Sequence, residues 1–300
     1  MKINRLVILG VGLIGGSLAQ ALRRADMCNS IVGYGRNEAN LNKAIELGVI
    51  DEYFLSAKDA VQDADVIVLA TPLATNRALF QEITPVLKQD AVITDVGSAK
   101  ACVIKDARAS LGEHFSRFVP GHPIAGKEKS GVEAASANLF EKHVVILTPL
   151  PETSVHAIAQ VTQLWEAACA EVITLKVEHH DEVLAATSHL PHLLAYALVD
   201  CLAKMQEREE IFRFAAGGFI DFTRIASSNP QMWHDICFSN RKSLLSVLDK
   251  FDNHINEIRT AIESDNSEKI LQIFSSAKNA RDKLIAERQQ LNSADSEKQI

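Results

Sequence analysis

Arg5-Leu6-Val7-Ile8-Leu9-Gly10-Val11-Gly12-Leu13-Ile14-Gly15-Gly16-Ser17 runs from a strand through a glycine loop into a helix. Leu6–Leu9 is continuously apolar, as in a strand covered on both faces. Ile14, Leu18, Ala21 and Leu22 share one face of a helix predicted over Ile14–Leu22. Between them the glycines at 10, 12 and 15 each have a mechanical reason. Gly10 permits a tight turn, Gly12 lets a pyrophosphate approach the backbone, and Gly15 lets helix and strand pack closely. Exposed N–H groups at the helix start, from Leu13 and Ile14 onward, then hold phosphates. Gly10, Gly12, Leu13, Ile14 and Gly15 are therefore candidate cofactor contacts, with a purely structural glycine turn as the alternative. The same stretch, with Lys2 and Arg5 before it and Ala19-Gln20-Ala21 after it, also has the outline of a secretory signal, but four glycines inside the apolar region argue against that.

Outward from this loop, short β-branched runs alternate with amphipathic stretches. Strands are predicted at Arg5–Leu9, Ile31–Tyr34, Val66–Ala70, Ala91–Asp95, Phe118–Val119, Val144–Leu147 and Val172–Leu175, and a second clear helix at Val155–Ala168. Such alternation means a parallel, doubly wound sheet. The second strand ends Gly33-Tyr34-Gly35-Arg36-Asn37. Gly35 stands where an acidic residue would accept the ribose 2′-hydroxyl of NAD, and Arg36 suits a 2′-phosphate, so the reading leans to NADP with dual use open. Thr71 and Pro72, after the third predicted strand, complete the candidate cofactor set.

After Lys176 the strand signal stops and only helical patterning follows, cut by Pro191, Gly217-Gly218 and Asn229-Pro230. Leu244, Leu248, Phe251, Ile255, Ile258 and Ile262 form a seam at heptad spacing that wants a partner helix. Asp265 with Glu268 resembles a capping box for a last helix, and the polar stretch 293–300 is expected to fray. The expected fold class is α/β: a Rossmann-type dinucleotide-binding domain over 1–175, then an all-helical substrate-binding and dimerisation domain over 176–300.

The chain has 300 residues, 47% of them hydrophobic, and its 31 basic against 38 acidic residues leave a net charge of −7. These values exclude wholesale disorder, and the negative balance argues against non-specific nucleic-acid binding. Five scattered cysteines without a C-x-x-C fit a reducing cytoplasm, and no apolar run reaches the ~18 residues needed to cross a bilayer.

Three clusters carry polar residues that packing does not explain. Asp95-Val96-Gly97-Ser98-Ala99-Lys100 places Ser98 beyond a carboxyl strand end, where open α/β sheets bind ligands; the alternative is that Ser98 caps the next helix. Pro120-Gly121-His122-Pro123 sets a histidine on the same edge, suited to taking a hydroxyl proton as hydride leaves. The third comprises Ser188-His189-Leu190-Pro191-His192 and Asp221-Phe222-Thr223-Arg224. A metal reading of Glu178, Glu182, His189 and His192, with His179, His180 and Asp181 nearby, is set aside because Pro191 interrupts the helical register and hydride chemistry needs no metal.

GLIGGS at 12–17, DVGSAK at 95–100, GHPIAGKEKSG at 121–131, SHLPH at 188–192 and DFTRIA at 221–226 together resemble the prephenate/arogenate dehydrogenase (TyrA) family of tyrosine biosynthesis. The resemblance implies oxidative decarboxylation of prephenate or arogenate with hydride transfer to NAD(P). It implies His122 as the proton acceptor and Ser98 as a second partner of the ring hydroxyl that helps orient His122. It further implies Arg224 on a substrate carboxylate, His192 at the keto or amino acid end, Glu128 at the entrance and Asp221 orienting Arg224. A homodimer through the C-terminal helices is implied as well. The rivals are another two-domain hydroxyacid dehydrogenase and a non-catalytic dinucleotide sensor.

Overall fold

The computed structural model describes residues 2–127 and 129–297. Six parallel strands form the main sheet in the order β3-β2-β1-β4-β5-β6: β1 (Ile3–Leu9), β2 (Cys28–Tyr34), β3 (Glu52–Phe54), β4 (Val66–Leu69), β5 (Val92–Asp95) and β6 (Phe118–Val119). Successive side chains of a strand point to opposite faces. Leu6 and Ile8 therefore enter one apolar layer, with α1 (Leu13–Arg24) and α2 (Glu38–Glu46), while Val7 and Leu9 enter the other. That second layer holds α3 (Ala57–Ala60), α4 (Asn76–Ile83) and α5 (Lys100–Ser110). The order reverses at β1/β4, the switch point where such sheets bind ligands.

Two predicted strands leave this sheet. After β6, Pro120 turns the chain into β7 (Gly121–Pro123), which pairs antiparallel with β8 (Val144–Leu147); β8 pairs parallel with β9 (Glu171–Thr174). β7 was hidden because three residues containing a proline carry no periodicity. Between β8 and β9 lies α6 (Val155–Ala167), whose Ala157, Val161, Leu164 and Trp165 are buried in the first layer.

The helices that follow are α7 (Val177–Leu184), α8 (Leu190–Ala203), α9 (Arg208–Arg213), α10 (Gly217–Thr223), α11 (Pro230–Ser239), α12 (Arg241–Glu263) and α13 (Ser267–Glu297). A π-turn over Ala185–His189 joins α7 to α8. It absorbs the missing N–H of Pro191, so the helix that this proline was expected to cut continues through it. Val177, Trp233 and Ile236 belong to the second layer, and the first compact unit runs past residue 175 to Leu245; residues 246–300 form a second. In that second unit, Asn266 rather than Asp265 caps α13, accepting the Lys269 N–H at 3.0 Å. Asp265 instead takes the left-handed turn, at φ +53°. α13 also continues into the stretch expected to fray, to Glu297; residues 298–300 lie outside the described ones.

Candidate active site

Gly10 has φ +104°, and a Cβ there would lie 2.5 Å from the Ala70 carbonyl oxygen. A Cβ on Gly15 would run into the Gly10 carbonyl oxygen. Both positions accept only glycine, and both belong to the packing of the turn. Gly12 is different: a Cβ there meets no atom within 4 Å, and as N-cap of α1 it offers no side-chain cap. The first-turn N–H groups, from Leu13 and Ile14 on, are therefore open to an anion over an unobstructed backbone. The Thr71 hydroxyl beside Gly10 is buried with no partner among the described residues. These features fit a dinucleotide. The Gly10 N–H donates to the Tyr34 carbonyl at 2.9 Å, which sets Gly35 and Arg36 beside the loop. Arg36 is exposed and makes no ion pair among the described residues, while Asn37 caps α2. Pro72 is exposed at the start of the turn that leads to α4.

The β5–α5 junction holds a buried ion pair. Lys100 Nζ donates to Asp95 Oδ2 and to the Gly121 carbonyl, each at 2.6 Å, with both charged side chains nearly inaccessible. Asp95 also accepts the N–H of Gly97 at 2.8 Å and of Gly121 at 3.2 Å. One carboxylate and one ammonium thus fasten the strand that carries His122 to the end of the main sheet. His122 is 8% exposed. Its Nδ1 lies 2.9 Å from His180 Nε2, and His180 Nδ1 lies 2.8 Å from Asp181 Oδ1. Asp181 in turn accepts the N–H groups of Lys100 at 2.8 Å and Ala101 at 3.0 Å. The cap of α5 therefore comes from Asp181 on α7; Ala99 is the N-cap residue and Ser98 plays no part. Ser98 is half-buried with no hydrogen bond among the described residues, so the partner that orients His122 is His180.

Burial holds His122 well below its ordinary pKa, helped by the Lys100 charge and then by His180 and His189. Burial also lowers His180, against the opposing hydrogen bond to Asp181. Burial by itself would raise Asp181, but hydrogen bonds from His180, Lys100 and Ala101 outweigh it and keep the carboxyl below the usual range.

His192 stacks on Trp233, ring centroids 3.6 Å apart at 19°, with Nδ1 2.9 Å from the Ser188 carbonyl oxygen. Its pKa is lowered by burial. His189 is fully buried, 3.2 Å from Asn240, so the two histidines of the SHLPH run divide into one half-open ring and one interior ring. Arg224 lines an open cavity of about 600 Å³ with Lys127, Lys129 and Glu133. Asp221 does not hold Arg224 as expected: it is exposed and makes no hydrogen bond or ion pair among the described residues, because Arg224 is turned to that cavity while Asp221 stays in solvent. Glu128 lies outside the described residues. No group of three or more metal-ligating side chains gathers among the described residues.

Residues 18–174 match the prephenate dehydrogenase nucleotide-binding domain and residues 176–276 the prephenate dehydrogenase dimerization domain. The chain belongs to the prephenate dehydrogenase family. It is 38% identical to the cyclohexadienyl dehydrogenase of Zymomonas mobilis over 93% of this chain and 95% of that one. With the prephenate dehydrogenase of Bacillus subtilis it shares 37% identity over 94% of this chain and 76% of the relative. Among solved structures, prephenate dehydrogenase from A. aeolicus in complex with hydroxyphenyl propionate and NAD+ superposes with a TM-score of 0.88 at 38% identity, covering 95% and 99% of the two chains. Synechocystis arogenate dehydrogenase gives 0.78 at 27%, covering 93% and 99%.

Four residues of the site are not evident from the sequence: Lys100 and Trp233 carry no signal there, and His180 and Asp181 stand out only beside the metal-like cluster of Glu178, Glu182, His189 and His192. The usable signal was the period of α7. Val177, His180, Asp181 and Leu184 recur at three, four and seven residues and are its buried face, while Glu178 and His179 point outward.

Proposed function

We propose that the protein oxidises the ring carbinol of prephenate, arogenate or both with loss of CO₂, yielding 4-hydroxyphenylpyruvate or tyrosine. The carbinol C–H bond leaves as hydride and the O–H proton passes to a base. The C–C bond to the ring carboxylate then breaks, its electron pair completes the aromatic ring, and the phenolate oxygen takes a proton back. A bound nicotinamide dinucleotide supplies the hydride acceptor.

The chain supplies the rest. His122 takes the hydroxyl proton and returns it, since burial beside the Asp95–Lys100 pair keeps its imidazole neutral and ready to accept. Ser98, with its hydroxyl unengaged at the same carboxyl edge, shares that hydroxyl. Arg224, with Lys127 and Lys129 in the same cavity, binds carboxylate. His192, held flat on Trp233, meets the side-chain end of the substrate. Gly35 and Arg36 favour NADP, with NAD also used. The reading assigns cofactor to residues 1–175 and substrate and dimerisation to 176–300, in a cytoplasmic homodimer. Five free cysteines fit that compartment, and no helix among the described residues is long and apolar enough to cross a membrane.

The observation that carries this reading is His122: buried, with Nδ1 on His180 and Nε2 unpartnered among the described residues. The test assays prephenate and arogenate separately against NAD and NADP, following reduced nicotinamide absorbance. At least one pair turns over, and His122→Asn retains substrate affinity while losing a factor of ~10²–10⁴ in rate. No turnover in any of the four assays, or parental rates in His122→Asn, overturns it.

A further inference from the structure

We infer that His180 and Asp181 are positioning residues that fix the tautomer of His122 and so decide which of its atoms receives the substrate proton. The inference rests on the reading of His122 as base, and it follows from donor and acceptor counting along one chain of contacts.

The chain starts at the α5 N-terminus. Two backbone N–H groups, from Lys100 and Ala101, donate to the two oxygens of Asp181. A carboxylate satisfied by donors at a helix N-terminus is an anion, and an anion only accepts. The third atom at its edge, His180 Nδ1 at 2.8 Å, must therefore carry a hydrogen. In a neutral imidazole one nitrogen is the donor and the other the acceptor. His180 Nε2 then presents a lone pair, and it faces His122 Nδ1 at 2.9 Å. His122 Nδ1 must in turn donate. What remains on His122 is Nε2 with its lone pair, the ring nitrogen without a partner among the described residues. The opposite tautomer would set lone pair against lone pair at 2.9 Å and would point an N–H at the substrate.

The relay also suits the moment after proton transfer. Once Nε2 takes the hydroxyl proton, the imidazolium donates Nδ1–H to His180, whose own N–H leans on the Asp181 charge. The other groups packed around His122 give no such help. Lys100 of α5 is cationic and already matched by Asp95 of β5, and His189 is buried and neutral. Asp181, one ring away, is thus the anion through which a charged His122 is stabilised. The arrangement is that of a base oriented by a second group that is itself held by a carboxylate.

The test compares three variants with the parent. Asp181→Asn with its amide oxygen on the Ala101 N–H presents its amide nitrogen, a donor, at the position of Oδ1, which His180 Nδ1 shares with the Lys100 N–H. His180 then flips, its Nε2–H donates to His122 Nδ1, and His122 Nε2 becomes protonated. Exchanging a triad aspartate for asparagine in a serine protease costs about 10⁴ by the same inversion. We expect kcat to fall ~10²–10⁴-fold in Asp181→Asn and in His180→Leu, with KM within a few-fold of the parent. His180→Gln, which can accept from His122 through its carbonyl and donate to Asp181 through its amide, restores most of the loss. The second readout needs neither substrate nor cofactor. In protein labelled with ¹⁵N-histidine and assigned with His122→Asn, the His122 Nε2 resonance is that of an unprotonated nitrogen in the parent and of a protonated one in Asp181→Asn. Parental kcat in both Asp181→Asn and His180→Leu, or a His122 tautomer unchanged between parent and Asp181→Asn, overturns the relay. If the resonances behave as expected and no cyclohexadienyl substrate turns over, the relay stands and the functional reading fails.

Discussion

Four imidazoles, at 122, 180, 189 and 192, are held below the ordinary histidine range, and burial leads in every case. That gives the protein a pH dependence of stability separate from its pH dependence of rate. His189 is the clearest instance, pushed down to about 4 between Asn240 and the Trp233 ring edge. In the unfolded chain these rings bind protons from about pH 6.5 downward, whereas the folded chain refuses them. The unfolded state therefore holds more protons below that pH, and folding stability falls as the medium is acidified. The share of His189 begins near pH 6.5 and is complete below about 4, at about 3 kcal/mol in all. Urea unfolding of the parent and of His189→Gln at pH 7.5 and pH 4.5 tests this. The variant starts less stable, because Asn240 loses one of its two partners and keeps only the Asp181 carbonyl, yet it loses less between the two pH values. An equal drop in both proteins would assign the acid sensitivity elsewhere. The position of His122 just beyond the sheet was readable from its setting between Gly121 and Pro123. Its partners were not, because His180 is 58 residues away and its bond to His122 exists only once α7 docks against α5.

At the scale of elements, the β1–α1 turn separates two uses of glycine that look alike in a sequence. Gly15 is required by the protein itself, whereas Gly12 has room for a methyl group that only a bound pyrophosphate would contest. Gly12→Ala should therefore fold with a melting temperature within a few degrees of the parent and lose dinucleotide affinity by tenfold or more, read by cofactor fluorescence. Gly15→Ala should lose stability as well, because its Cβ collides with backbone. Equal melting losses in both would show that Gly12 also serves the turn. The turn is legible from its glycines, the helices from their period, and the strands of the main sheet other than β3 as apolar runs, even β6 with its two residues. β3 is Glu-Tyr-Phe with no residue fully buried, and β7 is Gly-His-Pro, so neither offers an apolar run to read. The two strands that leave the main sheet look like any other apolar run, since continuous burial says nothing about which sheet a strand joins. The π-turn before α8 was misread for a different reason. Proline marks a lost N–H, and a sequence alone does not reveal whether the backbone widens to absorb that loss or breaks.

For the whole molecule, the exposed faces of the last two helices bear on the number of chains. In the second unit the predicted seam is only partly covered by its own chain: Ile255 and Ile262 on α12 are 39% and 63% exposed. On α13, Leu271 and Phe274, one turn apart, are 68% and 59% exposed, and Leu284 and Ile285 follow further along. Soluble monomers rarely leave so many large apolar side chains on two helices uncovered, and a helix face of this kind is buried in homodimers. Glu257 of α12 pairs across to Lys269 of α13 at 2.6 Å and, within its own helix, with His254 at 3.2 Å. We therefore expect light scattering to give the mass of two chains at micromolar concentration. Replacing Leu271 and Phe274 together by aspartate places two charges in the contact and should shift the mass to one chain. The loop at 10–15 lies in the other compact unit, so the variant should keep its dinucleotide affinity. A parent that scatters as a monomer, or a double variant that remains a dimer, would move the contact away from this face.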